Sequence, residues 1–353
     1  VIVEVIGGTD PAGRLIAAAL EGGKPVVTAN KEWMSKEGQR YVRLAAERGL
    51  DLHYEAAVGG GIPLVQPLKH QLAGNDVLRM MGILNGTTNF ILTRMTDEGA
   101  EFEDVLRDAQ AAGYAEADPT ADVDGYDAQY KLAILASIAF GREVDPASIY
   151  REGIRAVGKR DIELAAFFGF KIKLLGIVTR TGQDRLLARV HPTMIRKSHP
   201  LASVDGVYNA LWFQGDFVGD VMFSGRGAGA EPTASAVVGD LVDIGRNLVA
   251  GGRGSAIPVG ERISSDPLDA LRTSYYVRMT VADRPKVLGQ IANAFGDAEV
   301  SLAAMEMKPL EGGKGEIVFL THDAYERQVQ GALLQVRQAD SMNRVESMIR
   351  VEE

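Results

Sequence analysis

Within residues 111–131, AAGYAEADPTADVDGYDAQYK, five carboxylates (Glu116, Asp118, Asp122, Asp124 and Asp127) lead to a single lysine, Lys131. Acids gathered this densely repel one another unless a cation sits among them. A helical pattern runs from near Asp124 through YKLAILASIAF. On it Asp127 and Lys131 are four apart on one face, with the acid N-terminal as the favourable pairing requires. Leu135 and Ile138, next on that side, are apolar. The spacing predicts Lys131 at the rim of a core, held by acids, where its proton can do chemistry. Two plainer readings compete. A charge run is most often a solvated face or loop. A calcium loop turning at Gly125 would put Asp122 and Asp124 on ligand positions three and five. Its twelfth position is then Lys131, where a bidentate acid is needed, and the cation rules that loop out.

The bulk of the chain narrows the class. Its 353 residues are enough for two or three domains with real cores. A formal charge of −9 and the lack of any basic cluster with interleaved aromatics argue against a nucleic-acid or anionic-membrane partner. There are no cysteines, which excludes disulfides, thiolate catalysis and zinc-thiolate sites. The five histidines are scattered without ligand spacing. No apolar run approaches the roughly 20 residues of a membrane span. A cytoplasmic enzyme or regulatory protein is the expectation.

The elements that must position the acid–lysine cluster follow in order. Residues 1–57 alternate strand and helix. VIVEVIGG, PVVTAN and DLHYEAAV read as strands, and Pro11–Leu20 and Trp33–Arg48 as helices, with Pro11 opening the first and Gly49 ending the second. Such alternation implies a parallel sheet, in which ligands bind beyond the carboxyl ends of strands. Those ends carry Gly7-Gly8-Thr9, Ala29-Asn30-Lys31 and Val58-Gly59-Gly60-Gly61. Residues 62–225 mix helices with four serial strands (KIKLLGIVTR, RLLARVHPTMI, GVYNALWFQ, DFVGDVMF), which predicts an antiparallel sheet. SGRGAGAEPTASAVV then feeds a helix with Pro232 near its first turn, leaving N–H groups for an anion or a cofactor amide, or forming a plain loop with a good cap. A Gly/Ser/Pro-rich linker covers 251–271. The tail, from 272 to 353, reads βαββαβ, the order of a ferredoxin-like sandwich, and is expected as a separate module.

At this point the residues resemble a family. AQAAGYAEADPTADVDGYDAQYK resembles the signature of homoserine dehydrogenase through Ala109, Gly113, Tyr114, Asp118-Pro119, Asp122, Gly125, Asp127 and Lys131. TANK (28–31), EAAVGGGIP (55–63), ILNGTTNFIL (83–92) and GRGAGAEPTASAVVGDL (225–241) resemble it in the same order, and the tail resembles the ACT domain. The resemblance spans nearly the whole chain. It implies an α/β and α+β protein: a partial Rossmann-like nucleotide domain (1–57, with the helix near 230–250 packed on it), a mixed α+β substrate and dimerisation domain (58–229) and a C-terminal ACT regulatory domain. It implies reversible reduction of L-aspartate 4-semialdehyde to L-homoserine with NAD(P)H, in threonine and methionine biosynthesis, by a cytoplasmic homo-oligomer, dimer or tetramer.

Roles follow from the same resemblance. Lys131 is the proton donor, and an ammonium also stabilises a developing alkoxide. Asp127 orients it, while Lys31 lies near nicotinamide and substrate. Glu116 and Asp122 receive the substrate's α-ammonium, Thr88 touches the substrate, and Asp118 and Asp124 are structural. Thr9, Gly113 and Gly227 join Lys31 at the cofactor. A monovalent cation, sodium in expectation, takes Glu55 with the carbonyls of Val58, Gly60 and Ile62, oxygen ligands that suit a hard ion.

Two departures qualify this. No G-x-G-x-x-G turn precedes the first strand, so a partial nucleotide domain with weak NAD(P)H binding is expected. In the tail, Asp283-Arg284-Pro285-Lys286 puts lysine where amino-acid-binding ACT domains carry glycine, which brings threonine feedback into question. Two rival functions stand beside the enzyme: a non-catalytic amino-acid sensor, and a Schiff-base enzyme using Lys131 or Lys31. The acids around Lys131 favour the charged amine and so oppose the second.

Overall fold

The computed structural model describes residues 1–339 and 342–352; the expected end of the tail at Glu353 lies outside them. The N-terminal part is a three-stranded parallel sheet of Ile2–Glu4, Val26–Thr28 and Leu52–His53, in that order. The helix Ala12–Glu21 buries Ile16 and Leu20 against it, with Gly22 closing its C-terminus on the carbonyls of Ala18 and Leu20. The long helix Ala230–Val249, capped by Gly229, packs on the middle strand and on the turn Glu55–Ala57. Two expectations need correction here. The third strand stops at His53, because Glu55–Ala57 winds into a 3₁₀ turn whose first N–H is held by the Asp240 carboxylate at 3.0 Å. The second helix starts at Lys31, since the Asn30 side chain accepts from the N–H of Trp33 and caps it.

The four serial strands are present as Phe170–Gly182, Arg185–Arg196, Tyr208–Gly215 and Gly219–Arg226. A fifth, Val77–Ile83, inserts between Tyr208–Gly215 and Phe170–Gly182, antiparallel to both. Its VLRMMGI is a short apolar run, which sequence alone does not separate from a buried helical turn. Lying across this sheet, the helix Tyr126–Phe140 buries Leu132 to Ala136.

The ACT tail has a core of its own around Tyr275, Phe295 and Phe319, and it is joined edge to edge to the rest of the protein. Its strands run in the order Met342–Glu352, Arg272–Ala282, Lys314–Thr321, Leu302–Leu310, with helices Val287–Asp297 and Glu326–Arg337 packed against each other. Its last strand also pairs in parallel with Arg185–Arg196, Arg350 to Glu352 lying opposite Thr193 to Ile195, so one sheet runs through both regions. The 251–271 linker is held to the fold at two places. Gly260–Ile263 pairs with Arg142–Val144, and Gly254 sits where any Cβ would strike the Leu50 carbonyl carbon at 1.9 Å. Among the described residues no helix is long and apolar enough to cross a membrane.

Candidate active site

The strand Val77–Ile83 ends in Leu84 and Asn85, and Asn85 caps the helix Gly86–Glu98. Beside that junction lies the first turn of the helix Tyr126–Phe140, which starts from Gly125 in a left-handed conformation (φ 83°). A short helix, Thr120–Val123, brings Asp122 in from the other side. Three backbone ends therefore converge on one point, and Asp127 occupies it.

Asp127 is 4 % exposed and binds two lysines. Lys31 Nζ lies 2.6 Å from Oδ1, and Lys131 Nζ donates to Oδ2 at 2.7 Å. Lys131 also donates to the Leu84 carbonyl at 2.9 Å. Two of its three ammonium N–H bonds are thus committed, and one is left for a substrate oxygen. The two lysines differ in access: the side chain of Lys131 is 10 % exposed and that of Lys31 is 45 % exposed. Burial disfavours the charge on Asp127, but Lys131 and Lys31 overcome it and hold the carboxyl well below the usual carboxylate range. Burial likewise opposes the Lys31 ammonium, yet Asp127, backed by Asp122 and Glu116, raises its pKa. Asp122 moves the other way. Burial first, then the negative charge of Asp127, pushes its carboxyl up.

The candidate residues fall into distinct places. Lys31, Asp122, Asp127 and Lys131 form one cluster, with exposed Glu116 close enough to act on Lys31 through its charge. Asp118 caps the N–H of Thr120, and Asp124 pairs with Arg155 at 2.6 Å. The Thr88 hydroxyl is buried and turned to Asn85. Its neighbour Thr87, half-buried and donating to the Tyr114 carbonyl at 2.8 Å, is the threonine on the Asp122 side. Gly113 is exposed, with φ 77° and open space where a Cβ would be. Thr9 is exposed and lines a shallow cavity with Trp33 and Tyr41 that none of the acid cluster borders. Gly8 lies nearer, its carbonyl accepting from the Asn30 side chain at 2.6 Å, one residue from Lys31.

Gly60 and Gly227 meet backbone to backbone: a Cβ on Gly60 would sit 2.6 Å from the Gly227 carbonyl carbon. Beneath Gly227 is Asn209, buried, with both amide atoms lacking a partner. Glu55 accepts from the N–H groups of Leu64, Val65 and Gln66 at 2.6, 2.8 and 2.7 Å. Burial nevertheless raises its pKa. Among the described residues no group of three or more His, Asp or Glu side chains is placed to hold a metal ion. Sequence reasoning missed Leu84, Asn85 and Thr87. The asparagine opening NGTTN carries a helix-cap signal, whereas a carbonyl acceptor leaves no trace in residue type.

A family model described as homoserine dehydrogenase matches residues 63–242, and an ACT domain model matches residues 275–340. The homoserine dehydrogenase of Synechocystis sp. is 46% identical over 360 residues, covering 99% of this chain and 83% of the relative. That of Mycobacterium tuberculosis is 45% identical, covering 100% of this chain and 82% of the relative. This chain belongs to the homoserine dehydrogenase family. The solved homoserine dehydrogenase of Thiobacillus denitrificans superposes with a TM-score of 0.92 at 41% identity, covering 99% of this chain and 81% of that one. A hyperthermophilic archaeal homoserine dehydrogenase, solved in complex with NADPH, gives a TM-score of 0.60 at 31% identity over 69% of this chain and 72% of that one. As a homoserine dehydrogenase the chain is an oxidoreductase of amino-acid biosynthesis carrying a C-terminal ACT domain, not a sensor built on a dead core.

Proposed function

We propose that the Lys31–Asp127–Lys131 cluster is the proton-transfer centre for the interconversion of L-aspartate 4-semialdehyde and L-homoserine. The observation that carries this is the buried Asp127 held between two ammonium groups of unequal access. Lys131, fixed by Asp127 and the Leu84 carbonyl, donates a proton to the aldehyde oxygen in reduction and takes it back in oxidation. Until the transfer its positive charge stabilises the developing alkoxide. Lys31, half in solvent, positions the reacting end of the substrate. Asp122 and Glu116 receive the α-ammonium, and Thr87 rather than Thr88 is the hydroxyl within reach. An arriving ammonium offsets the burial and the Asp127 charge that together push the Asp122 carboxyl up.

Reduced NAD(P) supplies the hydride when it is bound. The unpartnered amide of Asn209 under Gly227 and the open left-handed turn at Gly7-Gly8 fit a polar group arriving between the two glycine loops. Gly227, Gly113, Thr9 and Lys31 are the residues to hold it. A monovalent cation, sodium first, fits the Val58–Ile62 loop chiefly through the carbonyls of Val58, Gly60 and Ile62. Glu55 has about one acceptor position left after its three backbone partners. We place the enzyme in the cytoplasm as a homo-oligomer, with L-threonine as the candidate ACT ligand.

Lys131→Ala, assayed with L-homoserine and NAD or NADP, is the test. Loss of positioned proton transfer should cost about 10²–10⁴-fold in kcat. Turnover within a fewfold of the unmodified chain would overturn the assignment.

A further inference from the structure

We infer that Asn85 is a positioning residue whose carboxamide N–H groups hold the Asp122 carboxylate beside that of Asp127, setting Asp122 to receive the substrate ammonium. The inference rests on the proposed reading of Asp122 as a substrate ligand. Asn85 Nδ2 donates to Asp122 Oδ1 at 2.7 Å and to Asp127 Oδ2 at 3.0 Å. An amide nitrogen carries two protons, so each carboxylate receives one. The other end of the same side chain is fixed. Oδ1 accepts from the Thr88 N–H at 2.8 Å and from the Thr88 hydroxyl at 3.0 Å, and the residue is buried.

Helix capping does not account for the amide. A cap needs only an acceptor, and Asp or Ser would serve at that position. What neither offers is a neutral donor aimed at two anions. Asp122 and Asp127 come from two successive helices, the short Thr120–Val123 and the first turn of Tyr126–Phe140, and two anions so close repel. Lys31 and Lys131 both bind Asp127, and among the described residues none forms an ion pair with Asp122, which Lys131 reaches only through its charge. Asn85 is thus a neutral donor, beside the Thr87 hydroxyl, that eases the charge of Asp122 next to Asp127 and leaves that charge for the substrate amine. A lysine in this place would neutralise the subsite.

Asn85→Ser keeps an N-cap acceptor while removing the two amide donors. In steady-state assays of the full chain, KM for L-homoserine should rise about tenfold, the scale of one lost charge-assisted hydrogen bond. kcat should change less. The acid-side rise of KM should move to higher pH, because the donor favouring ionised Asp122 is gone. In an Asp122→Asn background the same substitution should raise KM much less, since the repulsion it exposes is absent. Equal effects in both backgrounds would reduce Asn85 to a helix cap and overturn the inference. An unchanged KM in Asn85→Ser, with KM raised in Asp122→Asn, would overturn it alone. An unchanged KM in Asp122→Asn would instead overturn the substrate reading beneath it.

Discussion

Two buried charge networks divide this molecule, and they are built to opposite ends. At the active site, Asp127 lies between a sealed lysine and a half-exposed one, with Asp122 left short of a cation. At the junction with the ACT tail, Arg350 and Glu326 are 1 % and 2 % exposed and form a two-pronged pair at 2.9 and 2.6 Å. Arg350 also donates to Glu152 at 3.0 Å, and Glu352 takes both Arg189 and Arg79. Desolvating ions is tolerable only when their partners are complete. Around Arg350 the junction meets that condition within the chain, while Nε and Nη1 of Arg189 and Nε of Arg79 stay without a partner among the described residues, and the network ties the two halves of one sheet together. The Lys31–Asp127–Lys131 cluster leaves the same condition unmet at Asp122, where the proposed function seats the substrate amine.

Asp127→Asn is the sharpest way to break this contrast. It should lower kcat by about 10²-fold or more, since Lys131 loses the group that orients it. Its melting temperature should fall less than that of a junction variant, because Lys31 can turn into water. Glu326→Gln should do the reverse, costing about 3–5 kcal/mol of stability by leaving Arg350 buried with an incomplete partner, with kcat largely kept in the folded fraction. Calorimetric melting and kcat on the same two preparations decide this. Equal losses of stability would dissolve the distinction.

Acid separates the regions further. Asp127, held below the usual carboxylate range, contributes stability that is present above the unfolded value of about 3.9 and is lost as pH falls through its folded value. Asp122, pushed up, acts in the opposite sense: the fold prefers it protonated, and that contribution is lost as pH rises through its folded value. L-homoserine should therefore bind less well on acidification before the fold weakens, with KM rising at higher pH than denaturation. KM and melting temperature across pH 4–8 test the order, and simultaneous loss would contradict it.

The smallest effect belongs to the ACT loop. Lys286 holds φ 78°, the left-handed conformation that glycine adopts freely, so the backbone keeps the turn at the cost of strain. Lys286→Gly should gain at most about 1 kcal/mol in urea melting, part of the relief being offset by a looser unfolded chain. Calorimetric titration with L-threonine should show tighter binding in this variant. Unchanged affinity would show that the side chain does not obstruct the ligand.

Much of the site was legible because its parts lie close in sequence. Asp127 and Lys131 are one helical turn apart, and periodicity alone puts them on one face. Lys31 was legible only as a residue at a strand end. Its ion pair with Asp127, 96 positions away, is invisible to spacing. The strand Val77–Ile83 escaped for a related reason: it is short and apolar, and its partners are supplied by segments more than 90 residues downstream. Thr87 and Thr88 are identical in type, and only the start of a helix decides which hydroxyl is buried on its cap and which faces out.

The sequence by itself determined the class of chemistry, the order of elements and the carboxylates and lysine proposed for proton transfer, because these are local in residue type and period. Tertiary structure alone decided that Asp127 serves two lysines, that Asn85 joins it to Asp122, and that the ACT sheet continues the catalytic one. Those facts depend on which distant backbone ends meet. Charge, burial and hydrogen bonding act across a few ångströms of space, whatever the separation along the chain.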